Sequence, residues 1–360
     1  MLYHLLYPLR EYLSVLNVFR YITFRSAYAA VTALLISFLL GPIFLRMLRR
    51  HQLVEGIREY VPESHAAKAG TPTMGGLMIL VATLVPTLLW ARLDNDFIWL
   101  MVIATVWLGL VGFTDDFLKV VKKRRKGLVA RYKLVGQLGL GLLVGLYVYY
   151  TAIVQQPSDV EVPFLKDAVL SLGPAYVVFV MIVITASSNA VNLTDGLDGL
   201  AIGLIIICAV AFGAMSYLTG NVRFSDYLDI PYIAGTGELA VYCSALAGAG
   251  FGFLWFNCHP AEVFMGDTGS LAVGGALGTL AVLIKKEMWL VLVGGLFVII
   301  AASVIIQVAS FKLRGKRVFL MAPLHHHFQK LGWPETKVVT RFWIIGALFA
   351  LLALSTLKLQ

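Results

Sequence analysis

Long apolar runs separated by short polar stretches repeat along the whole chain. The hydrocarbon core of a bilayer takes about 20 mostly apolar residues per helix. Ten runs of that order can be read, over residues 24–45, 74–91, 97–117, 134–152, 170–188, 199–219, 238–256, 262–284, 288–309 and 338–357. The pattern predicts an all-α polytopic membrane protein of about ten transmembrane helices, organised as one integral membrane domain over residues 1–360. Between the sixth and seventh runs the polar stretch Asn221–Glu238 has room for a short extra element. Only Lys285-Lys286-Glu287 divides the eighth from the ninth. Ala27-Tyr28-Ala29 mimics a signal-peptide cleavage site, but Arg10, Arg20 and Arg25 interrupt the region before it, so no cleavable signal is expected.

Composition agrees with the pattern. Hydrophobic residues are 59% of the chain and charged residues 14%, against about 45–50% and about 25% in soluble domains. Mean hydropathy is +0.83. A soluble enzyme, a disordered chain and a secreted disulfide scaffold are thereby excluded. Cys208, Cys243 and Cys258 are odd in number and lack metal-site spacing, and the first two lie in apolar runs. They read as small hydrophobes, not as a disulfide or thiolate site.

Charge adds sidedness. The 29 Lys and Arg against 20 Asp and Glu give a net charge of +9, which in a soluble protein would raise the question of nucleic acid. In a membrane protein an excess of Lys and Arg marks cytoplasmic loops. Most of the basic residues follow odd-numbered runs, eight of them between Lys119 and Lys133. Those loops are therefore expected in the cytoplasm and both termini outside, with no nucleic-acid partner. Lys285 and Lys286 run against this trend.

Four polar segments fall at the predicted cytoplasmic face: Thr114-Asp115-Asp116, the stretch from Asn189 to Gly199, Phe264-Met265-Gly266-Asp267, and Leu324-His325-His326-His327. Their convergence from distant parts of the chain points to an active site. Two adjacent carboxylates, Asp115 and Asp116, repel one another and call for a nearby cation. Neighbouring helical residues point about 100° apart, so the two need not share a task. Asn192, Asp195 and Asp198 recur every third residue and would stack if the stretch were helical; an ordinary polar turn is the alternative, since Asp-Gly is a turn dipeptide, but a loop without Lys or Arg between two spans favours function. Asp267 alone would be a helix cap, but beside other carboxylates it is a candidate Mg²⁺ ligand, because hard cations prefer oxygen donors and Mg²⁺ usually binds one or two carboxylates together with substrate phosphates. Zinc is disfavoured: three consecutive histidines cannot all face one ion from a regular helix, and no cysteine assists. The histidines suit hydrogen bonding to phosphate or sugar oxygens. Most of the basic run is topogenic or lipid-facing, and Lys133 is its member best placed to meet a substrate phosphate. Cys258-His259-Pro260 reads as a loop. Together these features describe phosphoryl transfer between a soluble and a lipid substrate, a reaction governed by positioning and charge neutralisation. A secondary transporter is the non-enzymatic alternative, although its acids would be expected near the midplane.

Asp115-Asp116, Asn192-x-x-Asp195-Gly196-x-Asp198-Gly199 and Phe264-Met265-Gly266-Asp267-x-Gly269-Ser270 resemble the motifs of the polyprenyl-phosphate hexosamine-1-phosphate transferase superfamily. Pro323-Leu324-His325-His326-His327-Phe328, Gly332-Trp333-Pro334-Glu335-Thr336-Lys337 and Lys68-Ala69-Gly70-Thr71-Pro72-Thr73-Met74-Gly75-Gly76 are similar to its bacterial phospho-N-acetylmuramoyl-pentapeptide-transferase family. The resemblance spans essentially the whole chain. It implies Mg²⁺-dependent transfer of phospho-MurNAc-pentapeptide from UDP-MurNAc-pentapeptide to undecaprenyl phosphate in the bacterial inner membrane, releasing UMP. A related transferase taking another UDP-HexNAc is the alternative within the superfamily. By the same resemblance Asp267 holds Mg²⁺, Asp115 and Asp116 flank the lipid phosphate, and Asn192, Asp195 and Asp198 hold the nucleotide and diphosphate. It also implies substrate contacts by Lys68, Thr73, Lys133, Asn189, Phe264, His325, His326 and His327, and a homodimer.

Overall fold

The computed structural model describes residues 1–50, 71–124, 127–151, 156–165 and 169–358. After a short N-terminal helix α1 (Leu2–Leu6) and two 3₁₀ turns come α2 (Ile22–Arg50), α3 (Gly76–Trp90), α4 (Asp96–Val120) and α5 (Ala130–Tyr150). A hairpin of β1 (Asp159–Glu161) and β2 (Val169–Ser171) leads into α6 (Ala175–Thr194), α7 (Leu200–Thr219), α8 (Val222–Leu228) and α9 (Leu239–Asn257). The chain ends with α10 (Gly266–Leu283), α11 (Glu287–Val293), α12 (Gly295–Arg314), α13 (Leu324–Lys330) and α14 (Glu335–Ser355).

Every apolar run contains a helix, and among the described residues eight helices are long and apolar enough to cross a membrane. The second and eighth runs differ. Helix α3 has 15 residues, about 22 Å of helix against a hydrocarbon core of about 30 Å. Helix α10 is buried at every position from Thr268 to Leu283, packed among α3, α4 and α6. Its glycines, alanines and polar first turn lower its hydropathy, because a helix enclosed by other helices needs small residues for close approach more than it needs lipid-compatible ones.

Three further features have local causes. The fifth run starts later than its hydropathy suggests, since Val169–Ser171 pairs antiparallel with Asp159–Glu161, Val160 opposite Leu170. Asn221–Glu238 does hold an extra element, α8, begun by the Asn221 side chain accepting the Arg223 amide. Lys285-Lys286-Glu287 is no exposed loop: all three are buried. Lys285 Nζ reaches the Pro157 carbonyl at 3.0 Å and Glu287 at 3.2 Å, Lys286 pairs with Glu161, and Tyr176 donates to Glu287 at 2.6 Å. Charges taken out of water need such partners, and these fasten the hairpin to the α10–α11 turn. Near the start of α2, Arg25 makes a fork-like pair with Glu238, both bonds 2.6 Å, and both residues are buried.

Candidate active site

Glycine brings the site together. Gly112, one turn before Asp115, lies so close to α10 that a Cβ there would collide with the Asp267 carbonyl oxygen, and one at Gly76 would collide with the Gly269 amide. The start of α10 is therefore clasped by α3 and α4 at backbone contact. Phe264 donates its amide to the Pro72 carbonyl at 2.9 Å, and the Gly75 and Gly76 amides donate to the Phe264 and Met265 carbonyls, both at 2.8 Å. The segment from Pro72 and the Phe264–Asp267 segment, remote in sequence, thus form one backbone unit. Thr73 is buried in it, its hydroxyl beside Gly266. Lys68 lies outside the described residues.

The two adjacent acids diverge. Asp116 turns to α10 and accepts the Asp267 amide at 3.1 Å, the Thr268 amide at 2.8 Å and the Thr268 hydroxyl at 2.6 Å. It is an N-cap supplied from another helix. Asp115 turns the other way. Its Oδ1 accepts the Leu128 amide at 2.6 Å, and its Oδ2 meets Lys119 Nζ at 2.6 Å and Lys133 Nζ at 2.8 Å. The same two amines reach Asp267 Oδ2, Lys119 at 3.0 Å and Lys133 at 2.5 Å. Two carboxylates and two ammonium groups therefore form a compact quartet at the junction of α4, α5 and α10. Asn192, in the last turn of α6, completes it by donating to Asp267 Oδ1 and to Ser270 Oγ, both at 2.8 Å.

Asp115, Asp116 and Asp267 present oxygens within 4.8 Å of one another, an all-oxygen set of the kind Mg²⁺ prefers. Both Asp116 oxygens already serve the α10 amides, so the acids best suited to an ion are Asp267 and Asp115.

The Asn192–Asp195–Asp198 stack does not form. Helix α6 ends at Thr194, with Asp195 as its C-cap, and Gly199 takes a left-handed conformation at φ 76° before α7. Asp198 faces a different loop, accepting the Ala261 amide at 3.2 Å with His259 Nδ1 at 3.0 Å. The Asp198 amide donates to Glu335 Oε1 at 2.8 Å, and Asn257 accepts the Gly199 amide at 3.1 Å. Asp198, His259 and Glu335 form a second group with ligand atoms within 4.8 Å. Helix α13 packs over this turn: His325 is buried, and its ring and that of His326 sit against Gly196. His326 Nδ1 lies 2.8 Å from Gln329. His327 points elsewhere, its Nδ1 accepting the Leu320 amide at 3.2 Å.

Four residues of this arrangement escaped the sequence reading. Lys119 is one of eight basic residues in its run, although its i, i+4 spacing from Asp115 sets it apart. His259 lies in a segment that reads as a loop, Asn257 directly follows an apolar run, and Glu335 belongs to a motif that carries the resemblance only as a whole. Apart from the Lys119 spacing, nothing local distinguishes them, because their partners are 58 or more residues away.

The chain matches a model of glycosyl transferase family 4 over residues 98–285. It also matches phospho-N-acetylmuramoyl-pentapeptide-transferase signature 1 over residues 68–80. It is 54% identical over 360 residues to the phospho-N-acetylmuramoyl-pentapeptide-transferase of Citrifermentans bemidjiense, 55% over 360 residues to that of Geobacter sp. (strain M21), and 52% over 361 residues to that of Desulfotalea psychrophila. Each match covers 100% of both chains.

Proposed function

The chain belongs to the phospho-N-acetylmuramoyl-pentapeptide-transferase family, and on that premise we propose that the Asp115–Asp267–Lys119–Lys133 quartet is where it transfers phospho-MurNAc-pentapeptide from UDP-MurNAc-pentapeptide to undecaprenyl phosphate. The observation that carries the assignment is the sharing of both lysines by both acids at the junction of three helices. Paired cations flanked by carboxylates suit a reaction in which one phosphate must approach another.

The second pKa of a phosphate monoester is about 6, so the lipid phosphate is largely a dianion at neutral pH and needs no strong general base. Its oxygen attacks the sugar-linked phosphorus of the donor, the bond from that phosphorus to the bridging oxygen breaks, and UMP leaves with the electron pair. Lys119 and Lys133 neutralise the approaching phosphates. Asp115, fixed by the Leu128 amide, holds the two amines in place, and Asn192 orients Asp267. Asp267, with Asp115, would hold Mg²⁺, which when bound supplies neutralisation of the diphosphate charge. Asp195, Asp198, Phe264 and the His325–His326 pair are assigned to the nucleotide and sugar, and the family resemblance adds Asn189, Thr73, Lys68 and His327 as substrate contacts.

The chain crosses the bacterial inner membrane ten times, with α3 and α10 completing the set, both termini outside and the site at the cytoplasmic face; it acts as a homodimer. Labelling by an impermeant thiol reagent at Ser14→Cys but not at Lys316→Cys, in a chain with its own cysteines replaced, checks the sidedness.

Purified protein supplied with Mg²⁺, undecaprenyl phosphate and UDP-MurNAc-pentapeptide should release UMP and form the diphospholipid. Product only with another UDP-HexNAc would move the chain to a sister activity, and no UMP with any donor would overturn the reading. A covalent phospho-adduct trapped on Asp267 without lipid acceptor would replace direct attack by a two-step route.

A further inference from the structure

A buried amide that the transfer chemistry leaves unused joins three of the helices that build the site. Gln137 lies on α5 one turn beyond Lys133 and is 1% exposed. A buried amide in an apolar bundle is costly unless it is bonded, and here both ends are. Gln137 Nε2 donates to Ser188 Oγ at 3.0 Å, and Gln137 Oε1 accepts from Asn189 Nδ2 at 2.9 Å. Ser188 in turn donates to the Leu271 carbonyl at 3.1 Å, one turn beyond Asp267 on α10.

The direction of this chain is fixed by its ends. A backbone carbonyl only accepts, so the Ser188 hydroxyl proton is committed to Leu271 and its oxygen must accept from Gln137. Asn189 Nδ2 also donates to the Thr185 carbonyl at 2.8 Å, which orients the Asn189 amide in the same sense. Both Asn189 N–H groups are thus spent inside the protein. What the exposed Asn189 side chain offers a substrate is its acceptor, Oδ1.

We propose that Gln137 is a positioning residue that fixes Asn189 as a hydrogen-bond acceptor for an amide N–H of the donor substrate. The proposal rests on the transfer reaction above, whose donor carries N-acetyl and peptide amides. Gln137 touches no substrate; it acts through Asn189 from the helix that carries Lys133. Without it, Asn189 keeps only its bond to the Thr185 carbonyl, and one N–H is left without its acceptor, so the amide is held less firmly with Oδ1 towards the substrate.

A double-mutant cycle tests this. Gln137→Leu should raise KM for the nucleotide donor about tenfold, the upper range for one hydrogen bond, while KM for the lipid acceptor changes little. Asn189→Ala should do the same, and adding Gln137→Leu to Asn189→Ala should change little further, because the two act through one contact. Independent losses in the cycle, or a fall in kcat with both KM values unchanged, would overturn the proposal. Hydrogen exchange over residues 185–192 should quicken in Gln137→Leu whether or not transfer is detected, and unchanged exchange there would overturn it too. Absence of transfer in the wild-type protein alongside quickened exchange in the variant would instead count against the assigned reaction.

Discussion

Asp116 caps the helix whose first turn holds Asp267. Its carboxylate accepts the Asp267 amide at 3.1 Å and the Thr268 amide at 2.8 Å across two helices, while its sequence neighbour Asp115 faces the lysines. Replacing a cap by Ala typically costs about 0.5–2 kcal/mol. Asp116→Ala should therefore lower both thermal stability and transfer rate, with Asp116→Asn intermediate because its amide oxygen still accepts. Melting curves and UMP release read this order. An Asn variant as inactive as Ala but fully stable would assign Asp116 a charge role instead.

Asp267→Asn should lose far more activity at limiting Mg²⁺ than at saturation, because it removes charge from a carboxylate proposed to hold the ion while leaving the Asn192 side untouched. Initial rates across an Mg²⁺ titration are the check, and equal loss at all concentrations would count against ligation.

Lys119→Met and Lys133→Met should each reduce activity, but their effects should not add. Both amines serve Asp115 Oδ2 and Asp267 Oδ2, and groups sharing partners couple by about 0.5–3 kcal/mol. Rates of the two single variants and the double variant give the coupling directly. Strict additivity would mean the lysines work separately.

Gly112→Ala should separate α4 from α10, since its Cβ would meet the Asp267 carbonyl; overpacking of this kind costs about 1–3 kcal/mol. Gly139→Ala on α5, whose nearest neighbour would be Trp107 at 3.6 Å, is the matched control and should be neutral in both melting temperature and rate.

Glu238→Gln should destabilise the protein strongly, because it leaves Arg25 buried without its charge partner; breaking such a pair costs about 3–5 kcal/mol. Arg25→Met combined with Glu238→Leu should recover much of that loss in a thermal melt. Transfer kinetics of the surviving folded fraction should be little changed, as the pair lies away from the quartet.

Sequence periodicity alone determined the helical membrane architecture, because lipid demands long apolar helices and leaves that demand visible in every run. It also marked Asp115, Asp116, Asn192, Asp267 and Lys133, since a charged or amide side chain at the end of an apolar run is conspicuous. Tertiary structure decided how these groups divide the work. Asp115 and Asp116 are chemically identical neighbours, and only the approach of α10, permitted by Gly112, makes one a cap and the other a partner of two lysines. The expected Asn192–Asp195–Asp198 stack failed for a similar reason: α6 stops at Thr194, and Asp198 is claimed by a loop from beyond α9. His259, Glu335 and Gln137 acquire their roles from partners far along the chain, and local pattern carries no record of which distant backbone or side chain will meet them.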